Sequence, residues 1–541
     1  MSLPSELRQR AMRWIADDPD PATAGELQRV VAEAMGAVPG AVEELTDRMN
    51  GTLTFGTAGL RGPVRAGSNG MNRAVVVRAT AGVARWLRDG GHGGGTVVVG
   101  RDARHGSAEF ASAAAEVLTA AGFVVRTLPG PLPTPVTAFL VRSLGAVAGI
   151  QVTASHNPPA DNGYKVYAGD GAQIVPPDDR LIEAAIQAAP PARSVPTAPG
   201  ALPVDDLSGY VTRTAGLPRG TARDLRVVLT PMHGVGGETA LRALHAAGFT
   251  DVALVPEQAD PDPDFPTVAF PNPEEPGAAD LLLAAASAAE ADLAIALDPD
   301  ADRCALGVRF ADGWRMLRGD QTGALLGEHV LSTLDRAAHP DPLVATTIVS
   351  SSLLGRIASA HGARYAETLT GFKWLMRAGE GLVFAYEEAL GLCVDPGSVR
   401  DKDGISAAVL ACDLVATLKA DGRTVPEALD DLAAKHGVHL TDQISLRFTD
   451  VARIAPLVAA LRRTPPTALG GGQVEQDNPA PDILRLRGEG LRVVIRPSGT
   501  EPKVKAYLEV VEPADDLAAA RSRAAERMSS LRDEVSALLE A

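Results

Sequence analysis

At 541 residues, with 45% hydrophobic and 22% charged side chains, the chain has a globular composition and is too long for one core, so three or four domains are expected. A formal net charge of −16 argues against a nucleic-acid partner or an anionic membrane surface, so positive contacts to any anionic ligand must be concentrated in a few loops. Cys304, Cys393 and Cys412 form no CxxC pair and imply neither a disulfide framework nor a zinc site, and the N-terminal residues show no apolar signal region, so a cytoplasmic enzyme is the expectation.

The first chemistry-bearing stretch in chain order is Gly56-Thr-Ala-Gly59-Leu-Arg61-Gly62, a Gly-rich segment with one Arg. A pattern that recurs three times then begins. A β-branched strand is followed by a polar or Gly-containing loop and an Ala/Leu-rich amphipathic helix ending near a Gly. The first copy is TVVVGRDARHGSAEFASAAAEVLTAAGF, ending at Phe123. A strand-like run over 146–152 leads to Thr153-Ala-Ser155-His156-Asn157-Pro-Pro, with Ser155 at a strand exit beside a basic neighbour. Pro158 and Pro159 stop regular structure there, and Asn162-Gly163-Tyr-Lys165 predicts a turn and an amine. A serine in such a place is ordinarily a turn residue, and the absence of G-x-S-x-G excludes a hydrolase elbow. Residues 188–203, rich in Pro and Ala, read as a linker or surface excursion.

The second copy, LRVVLTPMHGVGGETALRALHAAGF, ends at Phe249. Its Gly234-Val-Gly236-Gly237 lacks the third glycine of a dinucleotide loop, where Thr239 stands, and reads as a tight turn into a helix. The apolar run Leu293–Leu297 ends in Asp298-Pro-Asp300-Ala-Asp302-Arg303, at the carboxyl end of a strand, where open α/β sheets bind ligands. Pro299 blocks a helix, so alternate carboxylates can converge on one hard cation. A lone DxD would usually be a solvated acidic turn, and the third Asp at the same period favours metal. The third copy, LVATTIVSSSLLGRIASAHGARY, ends at Tyr365. Thr370-Gly371-Phe-Lys373 and Glu387-Glu388-Ala-Leu-Gly391 are polar loops that by themselves fit an ordinary surface equally well. Two strand-like runs then surround Arg496-Pro-Ser498-Gly499-Thr500-Glu-Pro, either a hairpin turn or a phosphate cradle of backbone N–H groups, hydroxyls and a guanidinium. This last hundred residues is an α+β module rather than a fourth copy.

In this order, these segments resemble the α-D-phosphohexomutase superfamily of phosphoglucomutases and phosphomannomutases, along essentially the whole chain from GTAGLRG to RPSGTEP. TGFKW, EEALG and RDKDGISAA look like its phosphopentomutase-like and glucose-1,6-bisphosphate-forming branch. The resemblance implies three related α/β domains with mixed, mainly parallel sheets plus a C-terminal α+β domain around a central cleft. Their expected limits are 1–207, 208–314, 315–439 and 440–541. It implies that Ser155 is a phosphoserine, and that Asp298, Asp300 and Asp302 hold Mg²⁺ against its phosphate. His156, Lys165, Arg303 and Arg61 match its catalytic positions, and Lys373, Glu387 and Glu388 its sugar-contacting ones. Arg496, Ser498, Gly499 and Thr500 match the group that grips the phosphate not reacting. The implied activity interconverts a sugar 1-phosphate and its terminal phosphate isomer through a sugar bisphosphate, in a monomer or homodimer. Glucose is the leading sugar, with mannose, a pentose, or a metal-dependent sugar phosphatase as alternatives. Ala389 departs from the glucose-type loop, which has Ser there, and Tyr386 replaces a Gly, so the sugar assignment is weakened.

Overall fold

All three repeats fold as their pattern predicts. The β-branched run of the first becomes strand Thr96–Arg101 and its Ala-rich stretch helix Ser107–Ala120. The second gives Arg226–Thr230 and Gly237–Ala246, and the third Leu343–Thr347 and Leu353–Ala360. Stiff Val and Thr side chains favour the extended chain, whereas Ala and Leu lose little in a helix. This computed structural model describes residues 3–56, 59–448, 451–497 and 503–540. No described helix is long and apolar enough to cross a membrane.

The chain divides into two compact units. The first comprises Met1–Gly307, Asp312–Met316 and Gly391–Asp413. It opens with helices Ser5–Asp17, Pro21–Met35 and Ala41–Arg48, which share a small core of their own around Leu7, Leu27, Val31 and Leu45. A six-stranded sheet follows, in the order Leu60–Pro63, Asp161–Ala168, Ala148–Val152, Thr96–Arg101, Val124–Thr127, Leu202–Pro203. The last four run parallel and the first two antiparallel to their neighbours. Two expectations are corrected here. Residues 188–203 are not a free linker, because Ala192 and Val195 bury in the core and Leu202–Pro203 closes the sheet edge. Asn162-Gly163-Tyr-Lys165 is not a turn but lies inside strand Asp161–Ala168, where Tyr and Val suit the pleated surface better than Asn-Gly suits a bend. A second sheet centres on Leu293–Leu297, buried throughout, parallel to Arg226–Thr230 and antiparallel to Cys304–Phe310.

The second unit comprises Val308–Ala311, Leu317–Leu390 and Leu414–Ala541. Leu343–Thr347 lies between two parallel neighbours, Arg364–Thr368 and Leu382–Glu387. The C-terminal sheet has six antiparallel strands, from Val438–Arg447 and Lys503–Glu512 to Ala468–Leu469, with helix Leu517–Glu540 on one face. Ile348 and Val349 join Ile483, Val494 and Tyr507 in a shared apolar cluster. The fold class is therefore the expected one: α/β with mixed, mainly parallel sheets, plus a C-terminal module of different construction.

Candidate active site

Two strand ends deliver the chemistry of the first unit. Ala148–Val152 runs into the Ser155 loop, and Leu293–Leu297 into the loop of the three aspartates. Both loops are tight enough to force a non-glycine residue into left-handed backbone, at Ser155 (φ 53°) and Ala301 (φ 54°). Such residues cost on the order of 1–3 kcal/mol each and persist only where the surroundings hold them. Glycines make the room. A Cβ at Gly234 would lie 2.3 Å from the Cα of Pro299, and one at Gly236 2.7 Å from the Cβ of Ala301. The glycines read as a turn into a helix thus also seat the aspartate loop.

Ser155 is buried, and its Oγ donates to Asp298 Oδ2 at 3.0 Å while standing 3.1 Å from His156 Nδ1. Asp298, Asp300 and Asp302 are fully buried. Lys165 Nζ donates to Asp300 Oδ2 at 2.7 Å and to Asp302 Oδ2 at 3.0 Å. Arg303 Nε lies 4.0 Å from Asp298 Oδ2 and 3.8 Å from Asp302 Oδ1, and its backbone N–H donates to Asp298 Oδ1. Arg61 Nη1 donates to Asn157 Oδ1 at 2.8 Å, which sets it beside the Ser155 loop. The six expected catalytic and metal groups of this loop pair (Ser155, His156, Asp298, Asp300, Asp302 and Arg303) therefore form one cluster with Lys165 and Arg61.

The electrostatics follow from burial and like charge. Burial, with Asp300 and Asp302 beside it, raises the Asp298 pKa well above the carboxylate range. Burial pushes Asp300 the same way, but its ion pair with Lys165 wins and the net direction is down. Burial also works against the Lys165 ammonium, yet Asp300 and Asp302 outweigh it and raise its pKa. His156, although partly exposed, is held well below its ordinary value by burial and by the cations Arg303 and Arg61, so its imidazole is neutral at pH 7.

Asp300 Oδ1 and Asp302 Oδ1 are buried without a hydrogen-bond partner among the described residues. One oxygen from each aspartate lies within 4.8 Å of the others. Buried anionic oxygens left unmatched are costly, and hard oxygen donors at this spacing suit a hard cation, so the triad could hold a metal ion.

Four contributors escaped the sequence reading. Arg104 staples the Ser155 loop, its Nη2 donating to the carbonyls of Ser155 and Asn157 (2.6 Å each) and its Nη1 to those of Pro158 and Asp161. Thr134 Oγ1 donates to Asp300 Oδ2 at 2.6 Å. Lys402 Nζ lies 3.2 Å from Asp302 Oδ2, and Asp401, its neighbour, accepts from Tyr167 and Gln173. The only signals were position and company: Arg104 follows the first repeat's strand, and Lys402 sits in RDKDGISAA. That segment rests on the aspartate loop through Gly404, whose Cβ would meet the Arg303 carbonyl at 2.4 Å.

The remaining expected residues belong to the second unit. Lys373 is buried on the short helix Phe372–Leu375, with Nζ 5.4 Å from the centre of the Trp374 ring. Glu387 ends strand Leu382–Glu387. Glu388 turns inward, where its Oε2 accepts from Ser350 Oγ at 2.8 Å and Thr347 Oγ1 at 3.2 Å. Tyr386, expected from the resemblance to stand where related loops have Gly, is core: it packs over Gly323 and its hydroxyl donates to Asp320. Arg496 lies near the end of strand Leu491–Pro497. Ser498, Gly499 and Thr500 lie outside the described residues.

Four family descriptions match the chain in order. They are phosphoglucomutase/phosphomannomutase alpha/beta/alpha domain I over 52–193, domain II over 208–310, domain III over 318–436, and the C-terminal domain over 444–527. The Haemophilus influenzae protein named "Probable phosphomannomutase" is 42% identical over 455 residues, spanning 81% of this chain and 93% of that one. The Homo sapiens phosphopentomutase is 33% identical over 94% of this chain and 92% of its own. Among solved structures, a Burkholderia thailandensis phosphoglucomutase/phosphomannomutase family protein shares the fold with a TM-score of 0.70 at 24% identity, over 90% of this chain and 97% of that one.

Proposed function

This chain belongs to the phosphoglucomutase/phosphomannomutase family, whose members are intramolecular phosphotransferases, and on that premise we propose that it moves a phosphoryl group between the two ends of a sugar phosphate through Ser155. The observation that carries the reading is the Ser155 hydroxyl hydrogen-bonded to Asp298 inside a buried triad whose outer oxygens lack donors.

Phosphorylated Ser155 gives its phosphoryl to one hydroxyl of the bound sugar phosphate, leaving a sugar bisphosphate and free Ser155. The bisphosphate turns end for end and returns its other phosphoryl to Ser155. Neutral His156, 3.1 Å from Oγ, can hold the proton that Oγ gains and loses. Mg²⁺ held by Asp298, Asp300 and Asp302 would supply charge to offset the transferring phosphoryl. Lys165 and Arg303 add to that charge. Lys165 is an ammonium while Asp300 and Asp302 hold it, and it can take a proton from the sugar hydroxyl only after those carboxylates are engaged elsewhere and it has released its own proton to solvent. Arg61 positions the loop through Asn157. In the other unit, Lys373, Glu387 and Glu388 line the sugar-recognition loops, and Arg496 with Ser498, Gly499 and Thr500 holds the phosphate at rest. The domain limits that go with these roles are 207, 314 and 439, one signature loop to each domain.

Glucose 1-phosphate is the leading substrate. A pentose 1-phosphate is a specific second reading, supported by Ala389 in the sugar loop and by the near full-length likeness to a phosphopentomutase. Initial rates on glucose, mannose and ribose 1-phosphates, with and without added bisphosphate, test both. A tenfold preference for ribose, about 1.4 kcal/mol in the transition state, would transfer the assignment to the pentose. Phosphate release to water at the rate of sugar isomerisation would overturn the mutase reading.

A further inference from the structure

The Ser155 loop hangs on Arg104, and Arg104 is itself held from outside that loop. Its guanidinium is buried, and its two Nη groups donate to the carbonyls of Ser155, Asn157, Pro158 and Asp161. The N–H groups lie in the guanidinium plane, so these bonds leave its flat face to another partner. The Phe265 ring takes that face, with its centre 4.9 Å from the guanidinium carbon. This is within the roughly 6 Å of a cation–π contact, which strengthens where water is excluded.

Phe265 lies outside any helix or strand, is buried, and has left-handed backbone (φ 47°), an outlier for a bulky side chain. Such a conformation persists only where the surroundings hold it. Here Phe265 N donates to the Asp262 carbonyl at 3.2 Å, and Asp262 N to the His233 carbonyl at 3.0 Å. Beside them, Asp264 Oδ1 lies 2.7 Å from Nε2 of His105, the neighbour of Arg104. Segment 262–265 thus runs from the His233–Gly234 turn, which seats the aspartate loop, to the residue that fastens the Ser155 loop. Phe249 makes a matched case without that connection. It is also buried, under the Arg223 guanidinium at 5.0 Å, but Arg223 donates to the carbonyls of Gly220, Ala222 and Ala247, none of them in either catalytic loop.

We propose that Phe265 is a positioning residue for phosphoryl transfer: its ring clamps the Arg104 guanidinium and so fixes the Ser155 loop against the aspartate loop. This role rests on Ser155 being the phosphoryl carrier. Steady-state kinetics and amide hydrogen exchange on the full-length protein test it, with Phe249→Leu as the control. Phe265→Leu should lower kcat about tenfold, short of the roughly 100-fold that a 1 Å misplacement can cost, with KM little changed. The amides of Ser155 and Asn157 close the loop on Thr153 Oγ1 and the Ala154 carbonyl, and their exchange should quicken roughly threefold or more. Phe249→Leu should lower the melting temperature to a similar extent while keeping kcat and that exchange. If Phe265→Leu unfolds, Phe265→Met, which keeps most of the volume without a ring face, decides the matter. Equal kcat and equal loop exchange in the Phe265 and Phe249 variants would overturn the positioning role and leave Phe265 as core. Faster loop exchange in Phe265→Leu, in a protein whose wild type isomerises no sugar phosphate, would keep the clamp and overturn the role of Ser155 instead.

Discussion

Each unit holds a cluster of buried carboxylates, and these two clusters are treated in opposite ways. Around Asp300 and Asp302, two oxygens are left without donors in a loop that also stores strained backbone. In the second unit, Glu509 is just as buried but matched: Arg492 pairs with it at 2.8 Å, and Ser351 Oγ, Ser352 N and Ser352 Oγ donate to it. Arg492 also donates to the Ser350 carbonyl and to Glu367. Burial works to raise the Glu509 pKa, but Arg492 and the donors from His439 and Ser352 outweigh it and pull it down to about 2. The contrast separates two uses of buried charge. A network closed on itself fastens the 317–390 part of that unit to the C-terminal sheet, whereas a network left open awaits a ligand.

The largest effect should come from opening the site's chemistry. Ser155→Ala should lose turnover on the order of 10⁶-fold, as deletion of a covalent nucleophile does, and intact-mass analysis should show no phosphorylated fraction. Full turnover without a phosphorylated species would refute the mechanism while leaving the contrast between units standing.

Next in size is the metal. Chelation should abolish activity and Mg²⁺ restore it, and Asp300→Asn should lose more than about 100-fold at ordinary Mg²⁺, beyond the usual cost of an outer-shell change. Activity that survives exhaustive chelation would mean the orphan oxygens serve something other than a cation.

The closed network should fail in stability instead. Arg492→Met strands the buried Glu509 charge and should destabilise the protein by about 3–5 kcal/mol in chemical denaturation, while Ser155 remains phosphorylated. Arg492→Met with Glu509→Leu should recover much of the loss. A double variant no better than the single would show that packing, not the stranded charge, set the effect.

The two regions should also answer pH with opposite sign. Burial pushes Asp403, beside the site segment, from an ordinary 3.8 up to about 6. Its folded form holds a proton that the unfolded form has released, so its contribution is present below about pH 4 and lost as pH rises through 6. At full extent this is about 3 kcal/mol. Glu509, depressed, contributes above about pH 4.5 and loses that contribution as pH falls towards 2. Asp403→Asn keeps the acceptor that caps Ile405 N and Ser406 N and should flatten stability between pH 4 and 6. An unchanged profile would place the titrating group elsewhere.

Smallest is Arg496→Ala, which should weaken substrate binding by about 1.5–3 kcal/mol, the range for hydrogen bonds to a charged group, and release more bisphosphate per turnover. Unchanged KM and unchanged dependence on added bisphosphate would refute the phosphate-gripping role.

Local pattern was enough for the strand–helix repeats, for Ser155 and the three aspartates at strand exits, and for the different make of the last module. These depend on side-chain period and on Pro and Gly punctuation, which act over a few residues. Tertiary structure decided the rest. Asn162 and Gly163 read as a turn because that pair often is one, and pairing with Ala148–Val152 and Leu60–Pro63 made them strand. The linker-like stretch before Val204 became a sheet edge because the strand Val124–Thr127 offered it unpaired backbone. Arg104, Thr134 and Lys402 reach the Ser155 and aspartate loops from segments far apart in the chain, and only Lys402 lies in a segment, RDKDGISAA, that carries the resemblance, with no role attached to it. Their charges and hydroxyls have meaning only where the folded chain sets them beside Ser155, Asp300 and Asp302, since electrostatic and hydrogen-bonding partners are chosen by distance in space and not along the sequence.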